Sequence, residues 1–133
     1  MAESKTNALP KRDEIDSKYK WKLEHIYAGI DDWERDFSKV KEYISQIVKF
    51  KGTLGKDSNT LLECLKLSNE LMSTNDRVFV YARMKKDEDN SNSTYQSLAD
   101  RASALMTEAY AATSFIVPEI LTIPEEKLNK YLE

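Results

Sequence analysis

Residues 57–117 read DSNTLLECLKLSNELMSTNDRVFVYARMKKDEDNSNSTYQSLADRASALMTEAYAATSFIV. In the first half, Leu61, Cys64, Leu65, Ser68, Leu71, Met72, Asn75, Val78, Phe79 and Ala82 recur at steps of three and four. That spacing gathers them on one face of a helix. The second half repeats the pattern with Tyr95, Leu98, Ala102, Leu105, Met106, Ala109, Ala112, Thr113 and Ile116. Between them, Lys86 to Ser93 is too polar to join a core and long enough to reverse the chain. The stretch therefore predicts an antiparallel helical hairpin with arms of roughly 35 to 45 Å. Small residues crowd the second arm (Ala99, Ala102, Ser103, Ala104, Ala109, Ala111, Ala112), so a neighbouring helix can come close.

The rest of the chain supplies partners for this hairpin. Asp31-Asp32-Trp33-Glu34 has the form of a helix start, with Asp31 placed to cap and Glu34 to reach back. Trp33, Phe37, Val40, Ile44, Ile47 and Val48 then trace one face to about Phe50, where Gly52 and Gly55 stop it. Asp57, Ser58 or Thr60 can cap the second helix, and Ser93 with Gln96 the third. Pro118 ends or kinks the third helix, and Pro124 opens a short fourth with Glu125 and Glu126 behind it. The expectation is an all-α fold, an antiparallel three-helix bundle over about 31–50, 58–87 and 93–117 with a short C-terminal helix. Residues 1–30 form an arm pinned on the bundle by Tyr19, Trp21, Leu23, Ile26 and Tyr27; residues 31–133 form the helical domain. The last helix reaches Glu133 without a stop signal, which suggests that the domain continues into a longer chain.

Composition narrows the partners. Acidic residues outnumber basic ones 23 to 20, a net charge of −3, and the cations do not gather into a patch. Nucleic acid and membrane are therefore not expected as partners. No apolar run approaches the length of a bilayer span, and residues 1–10 lack the character of a secretory signal. The single Cys64 sits on the apolar face as a buried hydrophobe, in keeping with a reducing cytoplasm.

A search for chemistry returns little. The one histidine, His25, follows Glu24 and has no second histidine four residues on, so this chain holds no H-E-x-x-H zinc helix. Asp87, Glu88, Asp89 and Asn90 resemble the start of a calcium loop, but Asn92 stands where Gly is needed and Leu98 where a bidentate Glu is needed. Asn92-Ser93-Thr94 is a glycosylation sequon by letter only. No phosphate loop or nucleophile elbow occurs. Catalytic, cofactor-binding and metal-ligating residues are accordingly all expected to be none in this chain.

Five stretches taken in order carry a resemblance: Leu9-Pro10-Lys11-Arg12; Tyr19-Lys20-Trp21-Lys22-Leu23 with Ile26-Tyr27; Phe50-Lys51-Gly52-Thr53-Leu54-Gly55; Tyr81-Ala82 followed by Asp87-Glu88-Asp89; and Ala112-Thr113-Ser114-Phe115 with Pro118-Glu119-Ile120-Leu121 and Ile123-Pro124-Glu125-Glu126. Together they resemble the N-terminal region of oligoendopeptidase F, within the thimet-oligopeptidase-like zinc metallopeptidases. The resemblance implies a non-catalytic helical domain that helps wall a channel admitting short peptides, with zinc held in a catalytic remainder of the same polypeptide. None of the family's zinc ligands is present here, so no catalytic residue carries over. The bundle pattern by itself equally allows a stand-alone helical adaptor.

One stretch asks for further cover. From Val78 to Met84 the second helix is apolar nearly all round, with Val80, Tyr81 and Met84 outside the hairpin face. Either the isolated chain self-associates there, or the arm with Trp21 and Tyr27 folds over it.

Overall fold

A computed structural model describes residues 8–133; the first seven residues of the expected arm lie outside them. The fold is carried by α1 (Ile30–Ile47), α2 (Ser58–Glu88), α3 (Ser93–Thr113), α4 (Ile116–Leu121) and α5 (Glu125–Tyr131), joined by turns of 3-10 helix. No strand occurs among the described residues. α2 and α3 make the hairpin, and each of the three long helices touches the other two.

The helix starts differ from expectation in two places. Asp57 caps α2, its Oδ1 accepting from the Thr60 N–H at 2.7 Å. At α3 the cap is Asn92, whose Oδ1 accepts from Thr94 and Tyr95 at 3.0 and 3.2 Å. Ser93 thereby becomes the first helical residue, which leaves Gln96 one position too far along to close a capping box. α1 begins at Ile30 with Gly29 before it and no side-chain cap. Asp31 and Asp32 lie inside the first turn, against the positive end of the helix dipole. Glu34 does not reach back to the backbone, because it pairs with Arg101 of α3 through two hydrogen bonds of 2.5 and 2.8 Å. A two-pronged charged pair outcompetes one bond to a helix N-terminus.

The helix ends also move. α1 yields at Ile47 to a 3-10 turn, Val48–Phe50, and Gly52 at φ 82° redirects the chain where a Cβ would be strained. The expected third helix, 93–117, stops at Thr113. A proline ring collides with the carbonyl four residues back, and for Pro118 that carbonyl belongs to Ser114, the residue just after α3. Pro118 itself sits in the first turn of α4, where its missing N–H leaves no bond unmade.

Trp33 is wholly buried where α1, α2 and α3 meet. Its Nε1–H donates to the Val78 carbonyl oxygen at 2.8 Å, its ring lies 5.0 Å from that of Phe37, and the Arg101 guanidinium covers both rings at 5.0 and 4.5 Å. Around it, Val40, Val78, Ala82, Leu98, Ala102 and Leu105 close one core; Ile47, Leu54, Cys64, Leu71, Ala109, Ile116 and Ile123 close a second. α2 buries Thr74 and Tyr81 besides the expected Cys64, Leu71, Asn75, Val78 and Ala82. A helix flanked by both α1 and α3 needs a broad buried arc, not one stripe.

The arm settles the matter of Val78 to Met84. Leu23 and Tyr27 are buried; the Tyr27 ring meets that of Tyr81 edge-on at 5.3 Å, and its hydroxyl donates to Asp36 at 2.7 Å. Burial, then the Asp36 carboxylate, holds the Tyr27 phenol well above its usual range. Farther back, Arg12 pairs with Glu88, whose side chain is only 5% exposed and also meets Lys85 at 3.5 Å. The expectation of a bare segment is therefore corrected: Tyr81 is 2% exposed, and Val80 is 43% exposed. Trp21, expected to help, stays 53% exposed.

The pair with Arg101 holds the Glu34 carboxyl below its ordinary value of 4.5. A depressed acid stabilises the fold above that value and ceases to do so as pH falls through the folded one. Glu34→Gln should therefore lower stability by about 0.5–1 kcal/mol at neutral pH, the discounted value for a half-exposed pair. The gap from the parent protein should narrow as pH drops below 4.5. Urea unfolding midpoints across pH read this directly; a gap that stays constant would contradict the assignment.

Candidate functional site

Three places on the surface draw polar groups together. The first is the turn between α1 and α2. Gly52 and Leu54 direct their N–H groups at the two oxygens of Glu119, at 2.8 and 2.9 Å. The Gly55 carbonyl oxygen accepts from Lys127 and, at 3.1 Å, from the Tyr131 hydroxyl. Leu54 is wholly buried beneath, and Ile123 lies 3.6 Å from where a Cβ on Gly55 would stand. α4 and α5 thus clamp the glycine turn, beside a surface cleft of about 450 Å³ lined by Lys51, Thr122, Pro124 and Lys127.

Across the same turn, a groove of about 560 Å³ runs between the end of α1 and the start of α2, with Phe50 and Leu67 as its floor and Lys49, Lys56, Thr60 and Glu63 on its rim.

The third place is the hairpin tip. Asp87 pairs with Arg83 at 3.6 Å, Glu88 with Arg12 and Lys85, and Asp89 accepts from the N–H and hydroxyl of Ser91 at 3.0 and 2.5 Å. Each carboxylate is turned to its own partner, so they share no centre at which a cation could sit. Sequence flagged two further residues. His25 is exposed at the end of the 3-10 turn Leu23–His25, beside Ile26, Asp76, Arg77 and Val80. Cys64 is fully buried, and burial, with the nearby Glu119 charge, pushes its thiol up in pKa. Among the described residues no group of three or more His, Cys, Asp or Glu could hold a metal ion. The donors present among the described residues do not fit a zinc centre.

The bonds of Glu119 to the glycine turn are not among the sequence expectations, which use Pro118 only as a helix break. An acid one residue after a helix-breaking proline, facing a Gly-x-x-Gly turn with exposed N–H groups, is the signal that could have revealed them. Glu119→Ala should cost about 1–3 kcal/mol, because two N–H groups lose a charged acceptor. Glu119→Gln should cost less, since its amide retains one accepting oxygen. Hydrogen exchange at Gly52 and Leu54 should speed up in both variants; unchanged exchange would mean that the clamp does not hold the turn.

No helix among the described residues is long and apolar enough to cross a membrane. No family model matches the chain. It is 40% identical over 130 residues to oligopeptidase PepF of Bacillus subtilis, covering 98% of this chain and 19% of that protein. It is 31% identical over 121 residues to group B oligopeptidase PepB of Streptococcus agalactiae, covering 91% of this chain and 20% of the other. The crystal structure of oligoendopeptidase-F from Enterococcus faecium superposes with a TM-score of 0.71 at 28% identity, over 77% of this chain and 20% of that one. The chain thus spans about one fifth of the length of the relatives it matches. Agreement of sequence along nearly the whole chain and of fold over most of it assigns the chain to the oligoendopeptidase F family.

Proposed function

We propose that this chain is the non-catalytic N-terminal helical domain of an oligoendopeptidase F-like zinc metallopeptidase, an antiparallel three-helix bundle that helps wall the channel through which short peptides reach the reacting centre. The observation that carries this reading is the 40% identity to an oligopeptidase over 98% of the chain, matched to only 19% of that oligopeptidase. The division into an arm, residues 1–30, and a helical domain, residues 31–133, belongs to the same reading. Its partners are the catalytic remainder of the same polypeptide and, through it, oligopeptide substrates, in the cytoplasm.

On this reading the chain works by shape. Three helices locked around Trp33 and tied to the arm through Tyr27 and Arg12 make a stiff wall, which stays in place when a peptide presses on it. Stiffness matters because a wall that bends admits longer chains and folded segments. Zinc and its ligands belong to the remainder; this chain contributes no group to them.

The test has two arms. The 133-residue chain, incubated with zinc and a quenched fluorescent oligopeptide, should show no chelator-sensitive turnover. The same chain joined to the rest of Bacillus subtilis PepF, in place of the segment it matches, should cleave that peptide. A folded but inactive joined protein, or turnover by the chain alone, would overturn the reading.

A further inference from the structure

α3 and α4 share an outer face that is unlike the rest of the surface. Ala104, Tyr110, Ala111, Ser114, Val117 and Leu121 are all exposed along it. Tyr110 and Val117 are seven residues apart, as are Ser114 and Leu121, and Ser114 and Phe115 keep helical backbone angles between α3 and α4, so the row stays near one side. Tyr110, Val117 and Leu121 are 59%, 65% and 79% exposed. From Ala102 to Pro118 the single charged residue is Glu108, in a chain that is 32% charged. Other exposed apolar side chains sit among charges, as Leu62 and Leu65 do beside Glu63 and Lys66. Glu108, between Ala104 and Ala111, is the one exposed charge along roughly 27 Å of this face, and a surface so poor in charge is built to be covered.

We infer that this face seats a low-charge helical surface of the remaining polypeptide, the four fifths of its relatives that this chain does not match; the inference rests on the reading that the chain is one domain of a longer peptidase. Two features select that occupant. Ala104, Ala111 and Ser114 are small, so a second helix can approach closely between the larger side chains. The apolar content is also modest. Stable associations between separate molecules bury about 1,200–2,000 Å² in all, and a row one helix wide with three large apolar side chains falls short of that. A partner tethered by the same chain meets the face at an effective concentration on the order of millimolar, where such a contact suffices. A second copy, which has no tether, is not favoured by this surface.

The test is alkylation of Ala111→Cys, a small change in an exposed helical position. Its rate with a water-soluble maleimide is followed by peptide mass spectrometry, in the chain alone and in the chain joined to the remainder of Bacillus subtilis PepF. Cys64 is buried and its thiol is pushed up in pKa, so it contributes little background. Labelling should be about tenfold or more slower in the joined protein, and Tyr110→Asp with Val117→Asp should restore much of the speed. Equal rates in a joined protein that cleaves peptide would overturn this inference and leave the domain reading intact. Loss of cleavage in a folded joined protein would overturn both. Protection in the chain alone that deepens with concentration would assign the face to a second copy and overturn the inference in favour of that occupant.

Discussion

Everything else in the molecule is arranged around the burial of Trp33. Its indole N–H would be an unsatisfied donor in an apolar core, and the Val78 carbonyl oxygen at 2.8 Å removes that cost while fixing the distance between α1 and α2. The Arg101 guanidinium lies over Trp33 and Phe37 and reaches Glu34, so α3 is tied to α1 through the same side chain that covers the ring. One buried aromatic thereby sets the mutual placement of three helices. The arm follows from it: with α1 held against α2, Asp36 stands where Tyr27 can donate to it, and Tyr81 stands where the Tyr27 ring can meet it.

The periodic features were legible in the sequence, and the contacts between remote residues were not. On the second hairpin face, Leu98, Ala102, Leu105, Ala109 and Ile116 are buried as expected, and Tyr95, Met106, Ala112 and Thr113 are half-buried. The first was readable only in part: Leu65 is 38% exposed, while Thr74 and Tyr81, off the expected stripe, are buried because α2 has neighbours on two sides. Pro118 announced a break, and its distance rule places that break at Ser114, four residues before the ring. At α3 the cap is Asn92, inside the polar run, one residue before the expected Ser93. Glu34 to Arg101 and Glu119 to the glycine turn join residues 67 and 65–67 positions apart, a separation at which no local pattern speaks.

The same division holds for function. One histidine and one cysteine leave local spacing little chemistry to speak for. What identifies the chain is the order of short motifs along its length, several of which now have a physical role. Arg12 pins the arm, Tyr27 and Tyr81 meet edge-on, and Gly52, Leu54 and Gly55 bond to Glu119, Lys127 and Tyr131. These are the joints of a stiff body, and a stiff body is what the proposed role as a channel wall requires.

That claim is tested most directly by peptide-length selectivity in the joined polypeptide. Trp33→Leu removes the donor to Val78 and the ring that Arg101 covers, loosening the junction of the three helices without touching any group proposed to act on substrate. The ratio of kcat/KM for a short peptide to that for one several times longer should fall several-fold in this variant, with kcat for the short peptide nearly unchanged. An unchanged ratio accompanied by collapse of short-peptide kcat would contradict a role in shape and place the chain in the chemistry itself.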